Sequence, residues 1–326
     1  MESKLFSPRS LSPRSLVGVT ACLLTFVTTS AAETLSVTGW RGDGSGRFAD
    51  AEPPTTWSKD SENILWKVEV GRGYSCPVRC AGDGPDSARL FITGEPAELL
   101  CLHPTSGEIL WRKTVDYAAA LGEAEAKRIA DTLAKFEAEK RADNKEYDQL
   151  RKSDPDSPRL QELKEKRQEI DKRRREFEKD FPSERRGGAG NAAATVLCDG
   201  ERVFALFGTG IVAAFRVNGE RLWIKQLQGG PEQGFGHSAS PVLAGGRLIV
   251  HVRELVALDV MTGDVQWTAD VPAKFGSPAV AQVGGKDLII TASGMLVRAA
   301  DGKVLAEKQF KLSNNSPLVH DGILYV

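Results

Sequence analysis

The chain has 326 residues, of which 41% are hydrophobic and 27% are charged. Its 43 basic and 44 acidic residues leave a formal net charge of −1. This balance provides no overall positive field, so it argues against nucleic-acid binding by the chain as a whole. The length is sufficient for about two domains of ordinary size.

Residues 1–32 are predicted to be a signal peptide. A basic start precedes a short apolar run over 16–27, and small residues at 30–32 offer a cleavage site. The run is short for a bilayer span, so no span is expected in the mature chain, with an uncleaved anchor as the alternative. Export predicts a periplasmic, envelope-associated or secreted protein. Residues 33–62 are then predicted to form an N-terminal extended segment.

Export would place the four cysteines that follow the predicted signal peptide in an oxidising compartment, where disulfides form. They are Cys76, Cys80, Cys101 and Cys198. In an extended strand Cys76 and Cys80 would lie about 13 Å apart, too far to bond unless the chain bends at Pro77. The sequence therefore leaves the pairing open. The cysteines lack the close spacing of a zinc site, and no metal site is predicted.

A glycine turn followed by a tryptophan recurs along the chain. It occurs at 106–111, 218–223 and 262–267, and residues 301–306 keep the turn without the tryptophan. Further short apolar strands precede each turn. The spacing is 45 residues from Trp66 to Trp111 and 44 from Trp223 to Trp267. A period of this length with four short strands in each unit predicts the blades of a β-propeller.

The recurring residues have clear structural roles in such a blade. Glycine supplies the positive φ of a tight hairpin between the third and fourth strands. A tryptophan a few residues later is large enough to fill the wedge between neighbouring blades. The predicted blade-docking tryptophans are Trp66, Trp111, Trp223 and Trp267. Small residues followed by proline, as in Ser240-Pro241, are expected to open each innermost strand.

Ala257–Trp267 resembles the tryptophan-docking motif of the quinoprotein-like (PQQ-like repeat) β-propeller family. The opening segment, with Trp40-Arg41-Gly42 followed by Trp57-Ser58 and Gly71-Arg72-Gly73-Tyr74-Ser75, resembles a variant of this family in exported bacterial proteins. The resemblance covers about residues 40–116 and 187–326. It implies a propeller, and family members include both dehydrogenases and non-catalytic scaffolds such as the outer-membrane assembly lipoprotein BamB.

The predicted fold class is all-β, a propeller of four-stranded blades with an inserted α-helical hairpin. The blades are assigned to 63–116 and 187–326, which gives about four to five blades in an incomplete ring. Ile64–Val68 resembles an outer strand whose partners would have to come from the C-terminal end, but the sequence stops at Val326 within a strand. The expectation is a fragment of a longer chain, or closure by a second chain.

Residues 117–186 are predicted to be a charged helical hairpin or coiled coil inserted between blades. The segment holds 19 Lys/Arg and 18 Asp/Glu, with apolar residues at helical spacing along a narrow seam. Residues 154–158 divide its two helical stretches. A partner-binding arm and a solvated insertion both fit this pattern. The basic run at 172–175 has acidic neighbours, so nucleic-acid binding is not predicted.

No catalytic, cofactor-binding or metal-binding residues are predicted, because the common catalytic and phosphate-binding motifs do not occur. The preferred function is a non-catalytic exported scaffold that binds a protein partner in the cell envelope. The alternative implied by the resemblance is a quinoprotein dehydrogenase using PQQ with calcium. Residues just before the innermost strands are expected at the channel mouth as a partner or ligand site: Tyr74, Ser75, His237, Ser238 and Asn314. A hydrogen-bonded structural role is the preferred interpretation of His237.

Overall fold

The computed structural model describes residues 38–48, 51–58, 63–81, 87–183, 188, 190–227, 237–312 and 314–326. The predicted signal peptide therefore lies outside the described residues. The described chain is mostly β, with four four-stranded antiparallel sheets, one two-stranded sheet and three helices. In each sheet, neighbouring strands are consecutive along the chain.

The strands fall into five sheets in chain order. Sheet 1 contains β1 (Val78–Cys80), β2 (Arg89–Gly94), β3 (Glu98–Leu102) and β4 (Ile109–Thr114). Sheet 2 contains β5 (Leu197–Cys198), β6 (Arg202–Leu206), β7 (Ile211–Arg216) and β8 (Arg221–Gln226). Sheet 3 contains β9 (Val242–Ala244), β10 (Arg247–His251), β11 (Leu255–Asp259) and β12 (Val265–Ala269). Sheet 4 contains β13 (Ala279–Val283), β14 (Lys286–Ile290), β15 (Leu296–Arg298) and β16 (Val304–Ala306), and sheet 5 contains β17 (Leu318–His320) and β18 (Ile323–Tyr325).

The four complete sheets share one irregularity, which marks them as copies of one unit. The register between the third and fourth strand of each sheet shifts by a bulge, directly before the glycine turn. In sheet 3 the shift falls between Ala257 and Leu258. A bulge strengthens the local twist of a strand pair. The repeated turn seen in the sequence therefore corresponds to a repeated backbone geometry.

The apolar core lies between successive sheets. Phe91 of sheet 1 and Phe215 of sheet 2 are buried and both lie close to the Trp111 ring, with ring-centre distances of 5.6 and 6.1 Å. Equivalent clusters join sheet 2 to sheet 3 and sheet 3 to sheet 4. Each sheet thus covers a face of the next, because a sheet with two apolar faces needs a neighbour on both sides.

Three helices interrupt the sheets between β4 and β5. They are α1 (Tyr117–Leu121), α2 (Glu123–Ser153) and α3 (Pro158–Asp180). Five ion pairs join α2 to α3. As the residue on α2 comes later in the sequence, its partner on α3 comes earlier, so the two helices are antiparallel. The pairs are Glu137–Arg174, Glu139–Arg173, Lys140–Asp171, Asp143–Lys166 and Glu146–Arg159. Among the described helices, none has both the length and the apolar character of a bilayer span.

The base of the hairpin is part of the core between sheets 1 and 2. Ile129 and Tyr117 are buried in that cluster. The Tyr117 hydroxyl donates to the Pro182 carbonyl at 2.8 Å, and the Gln226 amide donates to the Asp180 carbonyl at 2.7 Å. The hairpin is therefore anchored on the sheets at its base.

One disulfide resolves the pairing that the sequence left open. Cys80 on β1 bonds to Cys198 on β5, across 118 residues of sequence. Cys76 is a free exposed thiol, and Cys101 is a free buried thiol whose pKa burial raises to about 12. The bridge joins β1 and β5, the first strands of sheets 1 and 2. The first strand of each sheet is termed its innermost strand below.

The segment 63–70 was predicted to contain an outer strand. Its residues alternate between half-buried and exposed, as in a strand, but it forms no ladder with any described strand. Trp66 in this segment nevertheless contacts sheet 1, because its indole N–H donates to the Pro104 carbonyl and its ring lies over Gly107.

Candidate functional site

The four recurring tryptophans join each unit to the next at its outer side. In every case the indole Nε1–H donates to a carbonyl of the following sheet's turn at 3.0–3.1 Å, and the ring lies over the glycine of that turn. The pairs are Trp66 with Pro104 and Gly107, Trp111 with Val217 and Gly219, Trp223 with Val260 and Gly263, and Trp267 with Ala299 and Gly302.

Gly263 shows why glycine is needed under the indole. Its φ is +71°, a backbone conformation that other residues rarely adopt. A Cβ at this position would lie 2.6 Å from the ring of Trp223. Glycine therefore provides both the turn and the space that the indole occupies.

A second series of contacts joins the sheets at their innermost strands. In sheets 2 to 5, a side-chain hydroxyl lies just before the first strand of the sheet. This hydroxyl accepts a hydrogen bond from the backbone N–H at the equivalent position in the preceding sheet, over 2.9–3.1 Å. In order, the donors and acceptors are Cys76 to Thr195, Thr195 to Ser240, Ser240 to Ser277, and Ser277 to Ser316. This hydroxyl relay passes through all five sheets, so their innermost strands lie side by side in chain order.

The innermost strands surround a central cavity of about 210 Å³. Its wall is mainly apolar and includes Pro241, Pro278 and Pro317, the prolines that follow three of the relay hydroxyls. The remaining side is formed by the N-terminal segment, through Trp40 and Asp43. Hydrogen bonding to Ser45 lowers the pKa of the Asp43 carboxyl, which remains an anion at neutral pH.

The predicted channel-mouth residues fall into two groups. Tyr74 and Asn314 are exposed, with 72% of Tyr74 accessible. Ser75 and Ser238 make hydrogen bonds within the chain. The Ser75 hydroxyl donates to the Thr93 carbonyl, and the Ser238 hydroxyl donates to the Phe275 carbonyl. Among these four residues, Tyr74 and Asn314 are exposed, whereas Ser75 and Ser238 are half-buried.

His237 is buried and belongs to a chain of two histidines. Its Nε2 donates to the His251 carbonyl at 2.6 Å, and His251 Nε2 donates to the Val271 carbonyl at 2.9 Å. Burial lowers the pKa of His251 to about 4, although the bond to Val271 acts in the opposite direction. His237 is therefore hydrogen-bonded within the structure, and its assignment to a partner or ligand site stays a prediction.

Three functional features of this region were not anticipated from the sequence. Thr195 supplies the relay hydroxyl of sheet 2 without a following proline. The Glu95 carboxylate accepts the backbone N–H groups of Asn191 and Ala192 at 2.6 and 2.8 Å. Residues 39–42 form a tight turn against the innermost strands rather than an extended segment. Only the closely spaced glycines of 39–46 signalled the last of these.

A second cavity, of about 680 Å³, lies at the base of the helical hairpin. It is lined by small and apolar residues of α2, including Ala126, Ala130 and Leu133, with Glu137 and Arg174 among its polar residues. Across the described residues, no group of three or more His, Cys, Asp or Glu is arranged to hold a metal ion.

The comparison with protein families identifies the repeat. Residues 183–326 match the family model described as outer membrane protein assembly factor BamB. The match supports a PQQ-like repeat of the β-propeller type in this part of the chain. No protein with curated functional information matches the chain.

Solved structures to which this chain is similar include a BamB and two dehydrogenases. They are BamB from Moraxella catarrhalis (13% identity, 80% of this chain, 56% of that chain, TM-score 0.44), a quinohemoprotein alcohol dehydrogenase from Pseudomonas putida HK5 (12%, 79%, 39%, 0.42) and a europium-containing methanol dehydrogenase (14%, 65%, 27%, 0.33). The chain spans 56% of the length of the first of these and less of the other two.

Proposed function

We propose that this protein is an exported, non-catalytic β-propeller scaffold for protein–protein interaction in the cell envelope. Its five sheets act as successive blades of an incomplete ring, and the segment 63–70 takes the place of an outer strand in front of sheet 1. The indole contacts and the hydroxyl relay support this order, because each joins one sheet only to the next.

The central cavity is the observation that carries the scaffold proposal. At about 210 Å³ it is smaller than the roughly 300 Å³ at which small-molecule sites begin, and part of its wall is the chain's own N-terminal segment. A propeller whose axis is filled by its own residues offers its outer surfaces and loops for binding.

The residues around the cavity do not fit a calcium-held quinone. Calcium requires six to eight oxygen ligands, usually with several carboxylates. Among the described residues that line the cavity, Asp43 is the sole carboxylate, and it is already hydrogen-bonded to Ser45. We therefore assign no step of any reaction to such a cofactor.

Two observations support export to the envelope. The Cys80–Cys198 disulfide is of the kind that persists in oxidising compartments. The matched family model is described as an outer membrane protein assembly factor. We propose a protein partner in the cell envelope for this chain.

Tyr74 and Asn314 are the proposed contact residues, because both precede innermost strands and both are exposed. A tyrosine provides a large contact area with a polar end, as interface residues often do. Ser75, His237 and Ser238 support this surface through the hydrogen bonds described above rather than through contact with the partner.

The test is capture of a partner from a cell-envelope extract by the full chain, with chemical cross-linking and mass spectrometry. Tyr74→Ala should reduce recovery of the specific partner by about tenfold or more, as for an interface residue that contributes over 1.4 kcal/mol. The matched control is Trp57→Ala, since Trp57 is 74% exposed but lies outside the proposed surface.

Two further outcomes separate the alternatives. Unchanged recovery with Tyr74→Ala but loss with Ala130→Glu would move the interaction to the cavity at the hairpin base and refute the channel-mouth site. Saturable binding of pyrroloquinoline quinone with Ca²⁺, seen as a quinone absorption spectrum on the purified chain, would refute the non-catalytic assignment.

A further inference from the structure

The N-terminal segment 38–48 lies against the innermost strands, where it forms one wall of the central cavity. We propose that this segment, termed the axial plug, is a built-in ligand of the propeller axis that excludes diffusible ligands and ties sheets 1 and 2 to sheet 5. The inference goes beyond the scaffold role, because it assigns a function to the opening Trp-Arg-Gly motif itself.

The plug begins between the innermost strands of sheets 1 and 2. Thr38 and Cys198 exchange backbone hydrogen bonds, at 2.8 Å from Thr38 N–H and 2.7 Å from Cys198 N–H. The Thr38 hydroxyl donates to the Arg79 carbonyl on β1 at 3.0 Å. One residue therefore contacts both strands that the Cys80–Cys198 disulfide joins.

Gly39 brings the plug close to β5. A Cβ on this residue would lie 2.8 Å from Leu197 Cδ1, the end of a flexible side chain, and in ordinary contact with the Val196 carbonyl oxygen at 3.5 Å. A small Cβ therefore requires only a shift of the Leu197 side chain, whereas a side chain as large as leucine needs space that the strand backbone already occupies and should displace the plug.

The plug has a defined shape of its own. Gly39 and Gly42 exchange backbone hydrogen bonds at 2.8 and 3.0 Å, which closes a tight turn. The Arg41 carbonyl accepts the N–H groups of Gly44 and Gly46, and the Arg41 guanidinium lies 4.2 Å from the centre of the Trp40 ring. A segment ordered by its own contacts loses less entropy when it binds the strands.

The plug ends at the other side of the cavity. Arg47 Nη1 donates to Nε2 of His320 on β17 at 2.5 Å. Between the two ends, Trp40 and Asp43 face the cavity opposite Ser277 and Pro317. The plug thus connects sheets that the indoles and the hydroxyl relay join only through intermediate sheets.

Hydrogen–deuterium exchange on the full chain tests this placement. In the unmodified chain, the amides of Thr38, Gly42 and Cys198 should exchange at least about 100-fold more slowly than in an unstructured peptide. Gly39→Leu should abolish protection at these amides and leave β6 and β7 protected. Ala51→Leu is the matched control, because it adds the same side chain at an exposed position beyond the plug.

The exclusion role is tested with the dye 1-anilinonaphthalene-8-sulfonate, which fluoresces on apolar surfaces. Gly39→Leu should raise its emission several-fold, since it uncovers apolar residues of the innermost strands, whereas Ala51→Leu should not. If Gly39→Leu does not fold, Arg47→Ala provides the second variant. It should accelerate exchange around His320 while the Thr38 amide stays protected.

Free-peptide exchange rates over 38–42 in the unmodified chain would overturn the proposal. So would unchanged protection of these amides in Gly39→Leu. Exchange reports only on the plug, and partner capture reports only on the exposed channel-mouth residues, so this inference and the proposed function can fail separately.

Discussion

The contacts between successive sheets, called seams here, combine two features. An indole is packed on a glycine turn, and a buried hydroxyl accepts a backbone N–H. Between α2 and α3, ion pairs at partly exposed positions accompany a narrow apolar line of Leu163 and Ile170. Both regions hold two elements together, but the seams do so with desolvated contacts of fixed geometry, whereas the hairpin relies much more on charges that water screens.

The two regions should respond differently to substitution. Loss of a buried indole or hydroxyl leaves a cavity or an unpaired polar group. The charges of a surface ion pair are instead hydrated at little cost when the pair is lost. Substitutions between the sheets should therefore lower the free energy of unfolding more than substitutions in the hairpin.

Removal of a seam indole should have the largest effect. Trp223 is 6% exposed and its Nε1–H donates to the Val260 carbonyl. Trp223→Ala should lower the free energy of unfolding by about 3–5 kcal/mol, because it leaves a cavity between sheets 2 and 3. Urea unfolding measures the change, with Trp57→Ala as the exposed control. Equal effects of the two substitutions would contradict the docking role.

Loss of the disulfide should come next. The double change Cys80→Ser and Cys198→Ser removes a cross-link that spans 118 residues. It should cost about 2–4 kcal/mol of unfolding free energy, since the unfolded chain gains freedom. Thermal unfolding with and without reductant measures it. Reductant should shift the unmodified chain and leave the double variant unaffected, and a shift in both would show that the bond is not responsible.

The hydroxyl relay should have an intermediate effect. Ser240 is 2% exposed and accepts the Thr195 N–H at 3.0 Å. Ser240→Ala leaves that buried donor unpaired and should cost about 1–3 kcal/mol in urea unfolding. Ser240→Thr keeps the hydroxyl, as Thr195 does in sheet 2, and should be closer to the unmodified chain. The relay would lose its assigned role if the two variants were equally destabilised.

An ion pair of the hairpin should have the smallest effect. Lys140 Nζ and Asp171 Oδ1 are 2.7 Å apart, with 30% and 33% of the side chains exposed. Lys140→Ala should change the unfolding free energy by about 0.2–1 kcal/mol, and less at high salt. A loss as large as that of Trp223→Ala would remove the contrast between seams and hairpin.

The repeat and the hairpin were accessible to sequence reasoning because both arise from local patterns. Glycine followed by tryptophan defines a turn and the strand after it, and β8 and β12 each begin two residues after the glycine of the repeated turn. Helix α2 ends at Ser153 and helix α3 begins at Pro158, on the two sides of the predicted break at 154–158. In each case neighbours within a few residues determine the backbone conformation.

The candidate site depended on contacts that no local pattern specifies. The pairing of Cys80 with Cys198, the burial of His237 and the axial position of Gly39 each bring together groups far apart along the chain. Which groups meet is decided by how the sheets pack around the axis, because many long-range contacts must be satisfied together. The amino-acid sequence by itself determined the repeating unit and its turns, and the tertiary structure decided which residues meet at the centre.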